Sequence, residues 1–170
     1  MAISKNIEVG AVGNYDAWTL TAGADKVVAV QLPDDEGTTM LSASTLNVRE
    51  SYTLKQSDIP NGIAKVNSID IVARHRNNSG GADPIRFKPF ARLGGTDADY
   101  TEVVPAATFG THTETGVARP GGGAWTAADL LTLEIGILES VDSANLVQVT
   151  TLYMVLNYKP DVGAESFLIG

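Results

Sequence analysis

Apolar and polar residues alternate with a period of two in short runs along most of this chain. Leu133, Ile135 and Ile137 form one such run, and a second covers residues 146–158 after a polar break at 142–145. This alternation is typical of strands that bury one face, whereas the apolar face of a helix repeats every 3.6 residues. The pattern therefore predicts a protein built from strands.

Strand candidates follow one another at short intervals, with glycine and proline between them. They cover residues 26–31, 39–44, 48–55, 65–76, 85–93, 100–104, 108–117, 133–139 and 146–158. The predicted fold class is all-β, an antiparallel β-sandwich of jelly-roll type that forms one domain over residues 18–158. Residues 1–17 are predicted to be an N-terminal arm or edge strand, and residues 159–170 a C-terminal tail. Pro160 has no N–H to donate and is expected to end the last strand.

One short helix is predicted near residues 126–132. Thr126 is a candidate N-cap, and Asp129 follows three residues later in the first turn. The alternation that resumes at Leu133 keeps this helix short. The three glycines at 121–123 are expected to form a turn that leads the chain to Trp125.

The runs 65–76 and 85–93 are predicted to pair as a hairpin joined by the polar segment 77–84. Their outward residues would then form a basic stripe on an otherwise acidic protein. Two roles are considered for it: a docking face for acidic groups on a capsid or a neighbouring subunit, or a solvated sheet face whose charges hinder aggregation, which is favoured. The stripe comprises Arg74, Arg76, Arg86, Lys88 and Arg92.

Composition excludes several classes of protein. The 170 residues are 44% hydrophobic and 19% charged, as in an ordinary folded domain. A net charge of −8 disfavours nucleic acid as a partner, because phosphate contacts supply most of that affinity. The chain has no cysteine, which excludes disulfides and thiolate zinc sites. No run approaches the ~20 apolar residues of a membrane helix, and residues 1–8 lack the apolar core of a secretory signal.

No pattern of catalytic residues is present. His75 and His112 are accompanied by neither G-x-S-x-G nor H-E-x-x-H. Glu134 and Glu139 lie five apart on a predicted strand and should point to opposite faces, which is unsuitable for a paired-carboxylate site. The glycines at 121–123 lack the lysine of a phosphate-binding loop. We expect a non-enzymatic protein with no catalytic residue, no cofactor and no metal.

Two acidic clusters and four aromatic residues have more than one interpretation. The clusters at 34–36 and 97–99 fall short of a complete calcium-binding loop and favour surface turns. Trp18, Trp125, Tyr153 and Tyr158 could form a sugar-stacking platform. The favoured interpretation of Trp125 is instead a core residue that plugs one end of the sandwich.

The two termini carry apolar residues in otherwise weakly patterned segments. Such residues are unfavourable in water unless they are buried. We expect one or both arms to pack on a neighbouring subunit; for the N-terminal arm, folding back on its own domain as an edge strand is an equal alternative. The proposed contacts are Ile3, Ile7, Val9, Phe167, Leu168 and Ile169.

The C-terminal half carries a family resemblance. The segment W-T-A-A-D-L-L-T-L-E-I-G-I at 125–137, followed by V-Q-V-T-T-L-Y-M-V-L-N-Y at 147–158, resembles the end of β-sandwich proteins encoded by tailed bacteriophages. Trp18 and the segments 32–35, 50–54, 69–74 and 91–96 fit the same pattern in the same order. The resemblance spans about residues 18–158 and implies a virion structural protein.

The resemblance favours one role on the particle and leaves a second open. The first is a capsid decoration (cement) protein that is made in the host cytoplasm and stabilises the assembled head from the capsid surface. Its partners would be the major capsid protein or other virion proteins, and it would form a homo-oligomer, most simply a trimer. The alternative is a carbohydrate-binding domain of a phage tail or head fibre that recognises the host surface. Neither role involves a membrane or nucleic acid.

Overall fold

The structure, a computed structural model, describes residues 1–22, 25–31, 40–43, 47–78, 85–141 and 146–161. Within these ranges ten strands and three single-turn 3-10 helices are defined. The helices are Val28–Val30, Gln56–Asp58 and Asp129–Leu131. The strands are β1 Ile3–Asp16, β2 Thr19–Ala22, β3 Met40–Ala43, β4 Arg49–Leu54, β5 Ile63–Asn77, β6 Arg86–Leu93, β7 Thr96–Asp99, β8 Gly110–Glu114, β9 Glu134–Val141 and β10 Val147–Pro160.

The strands form two antiparallel sheets that share β1. In sheet A, β10 is central: β5 and then β8 lie on one side, while the first half of β1 and the β3–β2 pair lie on the other. Sheet B has the order β1–β4–β9–β6–β7, and it uses the second half of β1. The predicted antiparallel β-sandwich of jelly-roll type is confirmed.

Strand β1 passes from sheet A to sheet B at Gly10. Residues up to Glu8 pair with β10, and residues from Val9 onward pair with β4. A Cβ on Gly10 would lie 2.9 Å from the Cα of Lys55, so a side chain there would collide with the β4 end. The segment predicted as an arm or edge strand is therefore an edge strand of both sheets, and its residues Ile7 and Val9 have 0% exposure in the domain's own core.

The predicted hairpin between residues 65–76 and 85–93 is wrong. Strand β5 pairs with β10 and β8, whereas β6 pairs with β9 and β7. The two strands instead face each other across the core, where the His75 ring meets the Phe87 ring edge-on at 4.5 Å. The 14-residue β10 offers β5 a much longer ladder than the eight residues of β6. The predicted alternation within each strand is confirmed, because Ile69, Ile71 and Phe87 are buried.

Two other predicted strands differ from the structure. Residues 26–31 contain the 3-10 helix Val28–Val30, because the Asp25 carboxylate accepts the backbone N–H groups of Val27 and Val28 and so favours a turn over an extended chain. Residues 100–104 form no strand and contribute one bridge, between Val103 and Phe87. The remaining candidates correspond to β3–β6 and β8–β10 with shifted ends, and the helix predicted near 126–132 is the 3-10 turn Asp129–Leu131.

The outer face of sheet B carries a buried aromatic cluster. Phe90 lies across Gly136 of β9, where a Cβ would come within 2.5 Å of the Phe90 ring. The guanidinium of Arg49 lies 4.8 Å above the Phe90 ring, and Tyr15 packs edge-on against it at 5.9 Å. Phe90 is therefore fully buried on the side of the sheet that faces away from the core.

A bulge in β1 brings Tyr15 over this face. Between the pairs Val12–Tyr52 and Asp16–Glu50, three residues of β1 stand opposite one of β4. The extra residues are held by side chains of the sheet: the Asn14 N–H donates to Glu134 at 2.8 Å, and the Tyr15 N–H donates to the Ser51 hydroxyl at 3.1 Å. The bulge thereby covers the side chains of Glu134 and Ser51 as well as that of Phe90.

Candidate functional site

Residues 65–68 and 116–125 enclose a cleft at one edge of sheet A. After β8 the chain continues beside β5, where the Val117 N–H donates to the carbonyl of Ile69 at 2.8 Å. It then turns through the glycines at 121–123, whose φ angles of +79°, +82° and +82° favour glycine over other residues. The cleft between these segments has a volume of about 370 Å³.

Trp125 forms one wall of this cleft. Its indole Nε1–H donates to the carbonyl of Val117 at 2.9 Å, and part of the ring packs against the hydrophobic core. The rest of the ring is accessible and lines the cleft. The predicted role of Trp125 as a core residue at the end of the sandwich therefore applies to the packed part of its ring. The accessible part is available to a ligand.

The first residues of β5 supply polar groups to the cleft. Lys65 and Asn67 are exposed, and Ser68 is half-buried. The Asn157 amide donates to the Ser68 hydroxyl at 3.0 Å and to the Asp70 carboxylate at 3.2 Å. Asp70 also accepts the Gly116 N–H at 2.7 Å. This network fixes the 116–118 segment against β5 and sets the width of the cleft.

Arg119 holds the glycine turn in place. Its guanidinium donates to both carboxylate oxygens of Asp129 at 3.0 Å and to the carbonyl of Gly122 at 2.9 Å. Asp129 also accepts the Thr126 N–H at 2.8 Å, while its own N–H donates to the Thr126 hydroxyl at 3.2 Å. This reciprocal pair is the capping arrangement predicted for Thr126 and Asp129, and Arg119 connects it to the cleft.

We expect Asp129 to make the domain sensitive to acid. The hydrogen bond from Arg119, assisted by those from Thr126 and opposed by burial, lowers the pKa of Asp129 from its ordinary value of 3.8 to about 2. A carboxyl with a depressed folded-state pKa stabilises the fold above its unfolded pKa, and this stabilisation is lost as the pH falls through the folded value. The contribution is about 2 kcal/mol for a shift of this size. The free energy of unfolding, measured with denaturant, should be higher for the unmodified protein than for Asp129→Asn, and this difference should be largest at about pH 5. The difference should disappear as the pH falls from about 4 to about 2. A difference that does not change with pH would contradict this prediction.

The basic residues predicted as one stripe lie in two different sheets. In sheet A, Arg76 donates to Gln148 at 2.8 Å, and Arg74 and Arg76 both lie over the Phe109 ring. In sheet B, Arg86 pairs with Glu102 at 2.6 Å and Arg92 with Asp97 at 2.7 Å, while Lys88 is half-buried between them on β6. A single basic stripe is therefore not formed, because β5 and β6 do not pair.

The predicted terminal contacts have different positions. Ile7 and Val9 lie in the core of this chain and have no free surface for another subunit, since every second residue of β1 faces inward there. Ile3 is 44% exposed at the start of β1. Phe167, Leu168 and Ile169 lie outside the described residues, as does the acidic cluster at 34–36.

The four-residue aromatic platform is not formed. Trp18 is 2% exposed and Tyr158 8% exposed, so both belong to the core, and Tyr153 is half-buried on sheet A. Of the two histidines, His75 is buried against Phe87, and burial lowers its pKa to about 4. His112 contacts Glu114 at 3.2 Å.

Sequence reasoning missed most of the cleft. Lys65, Asn67 and Ser68 belong to a strand singled out for its core residues, and Arg119 lay outside every pattern considered. The cluster of glycines before Trp125 was the available signal, because glycine readily adopts the left-handed backbone that this turn requires. No spacing in the sequence connects residues 65–68 to Trp125.

Among the described residues, no three His, Cys, Asp or Glu side chains converge in a way that could hold a metal ion. No helix in the described ranges combines the length and the apolar character needed to cross a bilayer.

Comparisons with known proteins give structural neighbours and no family. No family model and no curated protein matches the chain. A carbohydrate binding module of family 29 has a TM-score of 0.48 with 10% identity, over 98% of this chain and 99% of that one. The CBM22-1 xylan-binding domain of Paenibacillus barcinonensis Xyn10C has a TM-score of 0.47 with 14% identity, over 91% and 92%.

One further neighbour comes from a bacteriophage. It is the enzymatically active domain of tailspike protein 4 of bacteriophage CBA120, with a TM-score of 0.39 and 13% identity. The match covers 91% of this chain and 19% of that one.

Proposed function

We propose that this chain is a non-enzymatic carbohydrate-binding domain whose site is the Trp125 cleft. The observation that carries the proposal is the indole of Trp125, which is fixed by its bond to Val117 and lines a cleft of about 370 Å³ beside polar side chains. Binding clefts for small ligands combine an apolar wall with a few oriented polar groups. This cleft has both.

The chemistry of the cleft suits a sugar ring. A pyranose has an apolar face of C–H groups and a rim of hydroxyls. The accessible part of the indole offers an apolar surface to the C–H face. The Asn67 amide, the Ser68 hydroxyl and the Lys65 ammonium offer hydrogen-bond donors and acceptors to the hydroxyls. The bonds from Asn157 and Arg119 hold the cleft walls before a ligand arrives, which reduces the entropy lost on binding.

The test is binding to a panel of bacterial surface polysaccharides, with xylan and mixed-linkage β-glucan included as soluble probes in affinity electrophoresis. Trp125→Ala should weaken binding at least about tenfold, equivalent to ~1.4 kcal/mol, because the apolar wall is lost. Trp125→Phe keeps an aromatic surface and should retain most of the affinity. Leu131→Ala is the control, since Leu131 is exposed and does not line the cleft.

Two results would contradict the proposal. One is the absence of binding to every polysaccharide by the unmodified protein. The other is equal binding by Trp125→Ala with a circular dichroism spectrum unchanged, which would place the ligand elsewhere on the surface.

The resemblance of the sequence to β-sandwich proteins of tailed bacteriophages supports one setting for this activity. We infer a domain of a tail or head fibre that recognises the host surface. The capsid decoration role has less geometric support, because Ile7 and Val9 are buried and the basic residues are divided between two sheets. Copy number in purified virions separates the two roles: hundreds of copies per particle would favour decoration, and a few to a few dozen would favour a fibre.

A further inference from the structure

Lys26, Asp16 and Glu50 converge at the end of β1, and none of the three lines the Trp125 cleft. The Nζ atom of Lys26 contacts the Oδ1 atom of Asp16. The same Nζ atom lies 3.2 Å and 3.3 Å from the two carboxylate oxygens of Glu50. Asp16 and Glu50 are themselves cross-strand partners in the β1–β4 ladder. An amine and a carboxyl group are thus in contact, with a second carboxyl group against the amine.

Glu50 is buried and fixed in orientation. Its side chain is 2% exposed and points into the sandwich. The Trp18 N–H donates to its Oε2 at 2.9 Å, and the Tyr52 hydroxyl donates to its Oε1 at 3.2 Å. Trp18 and Tyr52 are themselves buried, so the contact between Glu50 and Lys26 is made beside an apolar region.

This environment affects how strongly the Glu50 carboxylate holds a proton. Burial raises the pKa of Glu50, while the Trp18 N–H and the Lys26 ammonium oppose that rise. A carboxylate with a raised pKa is a stronger base than a fully solvated one, so Glu50 is better able to accept a proton from the Lys26 ammonium that it contacts. The Asp16 side chain is 62% exposed, which gives a released water molecule a path to solvent.

We propose that Lys26 and Asp16 form an intramolecular amide bond, with Glu50 as the catalytic proton carrier. The Lys26 amine attacks the Cγ atom of Asp16, a C–N bond forms, and a C–O bond of the carboxylate breaks. Two of the three protons of the ammonium end on the departing oxygen, which leaves as water, and the third stays on the amide nitrogen. Glu50 carries protons from nitrogen to oxygen and ends unchanged. The reaction needs no oxidant, reductant or cofactor.

The cross-link would join the end of β1 to the segment that leads into the Val28–Val30 helix. It would close a short loop through Trp18 and hold the buried Trp18 side chain in place. A covalent tie of this kind restricts the unfolded chain and so stabilises the fold. It would also take the place of an ion pair that contributes little to stability, because the Asp16 side chain is 62% exposed.

Intact-mass spectrometry of the purified full chain tests the proposal. After incubation at neutral pH the unmodified sequence should have a mass lower than the calculated mass by one water. Proteolysis should yield one branched peptide that contains both Asp16 and Lys26. Lys26→Arg keeps a positive charge without a nucleophilic amine and should have its full calculated mass. So should Asp16→Ala, which lacks the electrophilic carbon.

Glu50→Gln tests the role of the proton carrier. Glutamine has nearly the same shape and can keep a contact with Lys26, but it cannot carry the proton. This variant should fold, as judged by circular dichroism, and have its full mass. A full calculated mass for the unmodified sequence after prolonged incubation would overturn the amide bond. Loss of water from Glu50→Gln at the rate of the unmodified sequence would overturn the assignment of Glu50.

Discussion

Replacing Gly136 with alanine is expected to destabilise the domain by about 3 kcal/mol, as overpacking does in a well-packed interior. The added Cβ would lie 2.2 Å from the carbonyl oxygen of Glu50 and 2.5 Å from the Phe90 ring. The backbone of β4 cannot move without breaking its ladder with β9, and Phe90 is held beneath Arg49 and Tyr15. The measurement is the free energy of unfolding from urea or guanidinium denaturation.

Gly110→Ala is the matched control for this prediction. Gly110 also lies in a strand, and a Cβ there would have no neighbour within 4 Å. Its stability should be unchanged or raised by about 0.5 kcal/mol, because alanine restricts the unfolded chain more than glycine does. Equal effects at Gly110 and Gly136 would show that the close packing of Phe90 across β9 is not the cause.

Replacing Phe87 with alanine is expected to cost about 3–5 kcal/mol, the range for large aromatic residues in a core. Phe87 has 0% exposure, and its ring meets His75 of the opposite sheet at 4.5 Å. Its loss leaves a cavity between the sheets and removes one of the contacts that hold them together. The readout is the midpoint of chemical denaturation, with thermal unfolding as a second measurement.

Leu131→Ala provides the comparison for Phe87→Ala. Leu131 is apolar but 61% exposed, so its replacement should change stability by no more than about 0.5 kcal/mol. A loss below about 1 kcal/mol for Phe87→Ala would contradict the assignment of Phe87 to the centre of the sandwich.

The sequence predicts the burial of Phe87 but not that of Phe90. Phe87 could be assigned to the core from its place in an alternating run, and it is buried. Phe90 lies on the opposite face of β6, where alternation predicts exposure, and it is also buried. Its burial depends on the β1 bulge and on the missing side chain of Gly136, two features from strands distant in sequence.

The candidate site was likewise predictable only in its local features and not in its distant partners. Trp125 stood out because a glycine turn precedes it and a capped turn follows it, and both local features were confirmed. The partners of Trp125 in the cleft come from β5, about sixty residues earlier. They lie beside it because the Val117 N–H pairs with Ile69 after β8 has joined sheet A.

The sequence by itself determined the fold class and which face of most strands is buried. These are local properties, because the direction of a side chain along a strand follows from a two-residue period. The tertiary structure decided that β5 pairs with β10 rather than β6, that β1 joins both sheets, and that Asp16, Lys26 and Glu50 meet. Backbone hydrogen bonds between strands have the same chemistry whichever strands they join, so partners are chosen by ladder length, bulges and the packing of the whole core.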